Sequence, residues 1–149
     1  MSKKKNYKQT AKRTIDLQIS ALSKLKKTIG NSFNDAVKII GDCKSKCILV
    51  GVGKSGHLAN LIASSLNSIG ASSFALQSAG DAAHGDLGAI STSTNKDVLI
   101  LISNSGSSSE LNPIITFSKK HGIKIIGITS KKNSALYKAA SIKILIPEV

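Results

Sequence analysis

The sequence predicts an α/β protein built on a parallel five-stranded sheet that is covered on both faces. Three observations predict it. Short, nearly continuous apolar runs alternate with segments of helical spacing, the pattern of strands buried on both sides. Glycines punctuate the passages from strand to helix and from helix to strand. Aromatics make up only 3% of the 149 residues while the hydrophobic share is 41%, so the core is aliphatic and alanine-rich, which suits helices lying close on a sheet.

The elements follow in chain order. Residues 1–9 read as a basic, disordered tail. From Thr10 to Ile29, the apolar residues Ile15, Ile19, Leu22, Leu25 and Ile29 recur at steps of three and four, one face of a helix. A second helix spans about Ser32 to Ile40 and ends near Gly41. These two leading helices, residues 10–42, pack either in the core or against a partner subunit. The core, residues 46–149, opens with the strand Cys47–Val52, the turn Gly53-Lys54-Ser55-Gly56 and a helix from His57 to Ser68 closed by Gly70. Ser72–Gln77 is the second strand, Ser78–Ile90 an irregular stretch with room for one short helix, and Asp97–Ser103 the third strand. A helix to Lys120 with Gly122 as its stop, a fourth strand Ile123–Thr129, a short helix Asn133–Ala139 and a fifth strand Ser141–Ile146 complete a single domain.

In such sheets ligands bind beyond the carboxyl ends of the strands, where strand order reverses. The turns after the first and third strands both lie at that end. Gly51-Val52-Gly53-Lys54-Ser55-Gly56 matches G-x-G-x-x-G. The acidic residue that would bind a nicotinamide ribose is missing, since Leu76-Gln77-Ser78 stands at the end of the next strand, and a P-loop would need glycine at Ile48. What remains is a glycine-rich turn with Lys54 placed to neutralise a phosphate or polarise a carbonyl, or simply solvated. The second turn, Ser103-Asn104-Ser105-Gly106-Ser107-Ser108-Ser109-Glu110, surrounds a helix start with hydroxyls and backbone N–H groups, a setting for a phosphate held without a metal. Ser107 is a candidate N-cap with Glu110 reaching back to it; Glu110 is equally a candidate general base for moving a proton between adjacent carbons of a sugar. His84, between Asp81 and Asp86, fits contact with a sugar hydroxyl; one histidine and one aspartate are too few ligands for a metal. The turn Gly70-Ala71 is counted with the substrate-binding residues.

Other classes recede. The net charge of +13 comes almost entirely from dispersed lysines with no aromatics among them to stack on bases, so a solvated surface that attracts anionic metabolites is expected, and no nucleic-acid partner. No apolar run is long enough to span a bilayer, and the expected location is cytoplasmic. Cys43 and Cys47, with three residues between them, match neither a redox pair nor half a zinc site and are expected as free thiols.

Together, Gly51-x-Gly53-Lys54-Ser55-Gly56, Ala82-Ala83-His84-Gly85-Asp86-Leu87-Gly88 and Ile102-Ser103-Asn104-Ser105-Gly106-x-Ser108-Ser109-Glu110 resemble a sugar isomerase (SIS) domain, and within it the D-arabinose 5-phosphate isomerases. The resemblance covers roughly residues 10–149. It implies a three-layer αβα sandwich around a five-stranded parallel sheet, preceded by N-terminal helices. It implies interconversion of D-ribulose 5-phosphate and D-arabinose 5-phosphate through an enediol, on the route to Kdo, a sugar of lipopolysaccharide and some capsules. It implies homo-oligomers, tetramers with sites built across subunits. The catalytic lysine and glutamate of the family fall on Lys54 and Glu110. Phosphate contacts fall on Ser55, Ser103, Asn104, Ser105 and Ser108, and the substrate-contacting histidine on His84. The family's metal-associated histidine is replaced by Gln77, so no metal and no cofactor are expected. Family members also carry, past the fifth strand, a second catalytic glutamate and a catalytic histidine. A sugar-phosphate-binding domain without catalysis is therefore the alternative expectation.

Overall fold

The computed structural model describes residues 6–76 and 86–148. The helices are α1 (Tyr7–Thr28), α2 (Asn31–Gly41), α3 (Lys54–Ser68), α4 (Asn112–His121) and α5 (Ala135–Ala139). The strands are β1 (Cys47–Gly51), β2 (Ser73–Ala75), β3 (Val98–Ile102), β4 (Lys124–Thr129) and β5 (Ile142–Leu145). They form one five-stranded sheet in the order β2-β1-β3-β4-β5, every pairing parallel. The predicted fold class stands.

The inner strands β1 and β3 are buried throughout and β4 is buried after its first residue save for one half-buried position, which is why they read as continuous apolar runs, whereas the edge strand β5 leaves Lys143 exposed. On one face Ile48, Val50, Leu99, Leu101 and Ile125 pack with Leu111 and Ile114 at the start of α4 and with Leu136 of α5. On the other face Leu49, Ile100, Ile102 and Ile126 pack with Ala36 of α2 and with Ala59 and Ala63 of α3. The two alanines, four apart, let α3 lie close on β1. A Cβ on Gly51 would stand 2.5 Å from the backbone of Ser55, so the first glycine of the G-x-G-x-x-G run is required by the helix turning tightly over the strand.

Several boundaries differ from expectation. Asn6 caps α1, its Oδ1 accepting from the Gln9 N–H at 3.1 Å, so residues 7–9 of the expected tail are helical. The helix α1 buries no residue. Ile15, Ile19 and Leu22 remain 54%, 58% and 64% exposed, and core packing of the first leading helix does not occur. Ahead of α4 stands a 3-10 turn, Ser109–Leu111, because Pro113 fits only in the first turn of an α-helix. Within the irregular stretch, Asp86–Ala89 form a 3-10 turn.

The amino-terminal edge of the sheet is tied by Asp97, which is 1% exposed. Its carboxylate accepts from Ser45 Oγ at 2.5 Å, from the Lys46 N–H at 3.1 Å and from the Ser91 N–H at 2.6 Å. A carboxylate, with four lone-pair sites on two oxygens, can accept all of these at once. Cys43 and Cys47 are free thiols. Burial, with the neighbouring Cys43 adding to it, pushes the Cys47 thiol up to about 11, so it stays protonated and inert at neutral pH. Among the described residues no helix is long and apolar enough to cross a membrane.

Candidate active site

Strand order reverses between β1 and β3. From β1 the chain crosses to β2 on one side; from β3 it proceeds through β4 to β5 on the other. The last register pair of β1 with β3 is Gly51 with Ile102, so the turns that follow these residues emerge side by side. Their neighbourhood is the crevice where α/β sheets bind ligands.

The β1 turn takes Gly53 through a positive φ of 57° and delivers Lys54 as the first residue of α3. Lys54 is exposed and Ser55 half-buried. The β3 turn is built around Ser103 and Gly106. Ser103 is 5% exposed, and its Oγ accepts from the Gly106 N–H at 3.0 Å. The same Oγ lies 3.1 Å from Ser108 Oγ. With Gly106 donating to Ser103, the Ser103 proton is free to donate to Ser108, which leaves the half-buried Ser108 hydroxyl to donate to a ligand. Ser103, expected as a phosphate contact, is buried and turned into the loop, where it meets Ser108. Asn104 and Ser105 are exposed at the turn, and the Ser107 N–H donates to Ser105 Oγ at 3.3 Å.

Glu110 is exposed within the 3-10 turn, and the side chain of the residue before that turn makes no capping hydrogen bond. The residue preceding the turn is Ser108, so the expected Ser107–Glu110 capping box is absent. The negative charge of Glu110 nonetheless sits at the positive end of α4.

Gly70 and Ala71 do not join this group. They precede β2, beside Ser72, whose carbonyl accepts from the N–H of Cys47 at the opening of β1. The site lies beyond the far end of that strand, about 16 Å away for five residues. They line instead a groove of about 570 Å³ with Val37, Ile40, Cys43 and Leu66. His84 and Gln77 lie outside the described residues.

The structure adds three hydroxyls that the sequence reading missed: Thr129 and Ser130 at the end of β4 and Ser134 before α5. They are 0%, 7% and 5% exposed and lie under the β3 turn. The signal was available, since β4 neighbours β3 and its carboxyl end faces the same edge.

Comparison with known proteins gives a consistent result. The SIS domain family profile matches residues 39–149. An uncharacterized protein of Rickettsia prowazekii is 42% identical over 143 residues, 96% of this chain and 44% of its own. An arabinose 5-phosphate isomerase of Pseudomonas aeruginosa is 38% identical over 144 residues, 97% of this chain and 43% of its own. The chain therefore spans less than half the length of these relatives. Among solved structures, a protein of Escherichia coli CFT073 in complex with arabinose 5-phosphate is 30% identical, with a TM-score of 0.81 over 97% of this chain and 77% of that one. A phosphoheptose isomerase from Francisella tularensis, 19% identical, shares the fold with a TM-score of 0.79 over 94% of this chain and 85% of that one.

Proposed function

This chain belongs to the SIS domain family, and on that premise we propose that it binds a sugar phosphate and interconverts D-ribulose 5-phosphate and D-arabinose 5-phosphate. The observation that carries the reading is the pairing, at the reversal of strand order, of a lysine-bearing turn with a hydroxyl-rich turn at the head of α4. The phosphate sits on Ser105, Ser108 and Ser55, with Lys54 balancing its charge or that of the substrate oxygen. Glu110 takes a proton from C1 of the ketose to give the enediol and returns it to C2, while the hydroxyl proton passes between O2 and O1. The kinship with arabinose 5-phosphate isomerases and with a protein solved with arabinose 5-phosphate supports this choice of pentose phosphate. The product would feed synthesis of Kdo in the cytoplasm.

The test is a thermal-shift titration with both pentose phosphates, with inorganic phosphate and NAD as controls. Stabilisation by the sugar phosphates is expected. Ser105→Ala should weaken it by about 1.5–3 kcal/mol, one hydrogen bond to a charged group. No stabilisation by either sugar phosphate would overturn the site. Binding without turnover would replace the enzyme by a sugar-phosphate-binding domain.

The same reading places a second copy against the exposed apolar residues. Ile15, Ile19 and Leu22 of α1, and Leu58 and Leu61 of α3, at 50% and 64% exposure, form faces a monomer would leave in water. Light scattering that reads a monomer at micromolar concentration would overturn the assembly.

A further inference from the structure

The β3 turn depends on groups that no substrate would touch. The carbonyl of Asn104 accepts three hydrogen bonds from the end of β4. They come from the Ser130 N–H at 3.0 Å, from Ser130 Oγ at 2.8 Å and from Thr129 Oγ1 at 3.1 Å. A carbonyl has two lone pairs, so three donors saturate it. The carbonyl of Gly106 accepts from the Leu136 N–H in the first turn of α5 at 2.9 Å. Thr129 is itself fixed, since its Oγ1 also accepts from the Lys131 N–H at 3.2 Å.

Peptide units are planar and trans, so each N–H points opposite to the carbonyl it is bonded to. The Asn104 carbonyl faces β4; the Ser105 N–H therefore faces away from β4. In the order β1-β3-β4 that direction is toward the β1 turn and Lys54. The Ser107 N–H, opposite the Gly106 carbonyl, faces away from α5 and donates to Ser105 Oγ at 3.3 Å.

The geometry points to Ser130, assisted by Thr129, as a positioning residue that aims the Ser105 N–H at the phosphate of the substrate. It acts through the Asn104 peptide and touches no ligand. The inference rests on the sugar-phosphate reading of this crevice and names a determinant of its affinity outside the crevice itself.

The experiment is a titration of the whole chain with D-arabinose 5-phosphate, followed by the amide proton shift of Ser105 and by the dissociation constant. The wild-type chain should show a downfield move of the Ser105 amide on binding. In Ser130→Ala that move should shrink and affinity fall about three- to tenfold, with the melting temperature within about 3 °C of wild type. Ser130→Thr, which keeps the hydroxyl, should restore both. Thr129→Val offers the same readout should Ser130→Ala fail to fold, with the same loss expected. Undiminished affinity and amide shift in the folded hydroxyl-deleted variants would overturn the role while leaving the site intact. A wild-type chain that binds no sugar phosphate would overturn the site and the role together.

Discussion

Gly106→Ala is expected to cost this protein about 2–5 kcal/mol of stability and to abolish detectable sugar-phosphate binding. Two independent effects add. The residue sits at φ +63°, where a side chain costs about 1–2 kcal/mol in backbone strain. A Cβ there would also stand 2.6 Å from Thr129 Oγ1 and from Ser134 Cβ, and closer still to Ser134 Oγ. Overpacking of that kind costs about 1–3 kcal/mol, and these neighbours are buried and hydrogen-bonded, so they cannot move aside freely. Relief would come by lifting the turn off β4, which breaks the bonds that orient its N–H groups. The control is Gly41→Ala at the end of α2, where nothing lies within 4 Å and φ is not positive; it should be neutral or slightly stabilising. Urea denaturation of the two variants, with the sugar-phosphate titration alongside, decides the matter. A Gly106→Ala protein as stable as the Gly41→Ala control would mean that the turn is not locked.

The contrast between these glycines marks where sequence reasoning reaches its limit. The strands were legible because burial on both faces leaves Ile48 to Val50 and Val98 to Ile102 with no polar interruption, and chain order alone then demands parallel crossovers. The two turns of the site were legible for the same reason: both follow strands that topology places together. What the sequence did not disclose is which hydroxyl does what. Ser103, Ser105, Ser107 and Ser108 are chemically alike, and only the path of the backbone turns Ser103 inward and makes Ser108, not Ser107, the residue that opens the 3-10 turn. Gly51 matched a nucleotide fingerprint while serving the approach of α3 to β1, since a packing glycine and a phosphate glycine look the same in a motif. Gly70 and Ala71 lie in the loop that enters β2, at the opposite edge of the sheet from the loops that leave β1 and β3, a placement the chain order already gives. The unpartnered face of α1 is visible in the sequence as a face, but its helical spacing could not say whether the core or another surface would cover it.

Glu110→Gln should lower turnover by about 10²–10⁴-fold, the usual worth of a general base, and leave sugar-phosphate affinity within about threefold. The structure separates this outcome from a structural one. Were Glu110 part of a capping box, its loss would appear first as reduced stability, but Ser108, the residue before the 3-10 turn, makes no side-chain capping bond and the carboxylate is exposed. An amide at an exposed position of this kind changes stability by no more than about 0.5 kcal/mol. It keeps the shape of the side chain and removes only the basic oxygen. Affinity should hold because, on the proposed reading, the phosphate rests on hydroxyls and N–H groups of the turn, and the Asn104 peptide that presents the Ser105 N–H is held by Ser130 and Thr129, not by Glu110. The informative assay is exchange of the migrating carbon-bound hydrogen with deuterated solvent, which reads proton abstraction even when net isomerisation is slow. Loss of exchange at unchanged affinity assigns the base. Exchange continuing at the wild-type rate in Glu110→Gln would remove Glu110 from the chemistry and require another group in the crevice to take the proton.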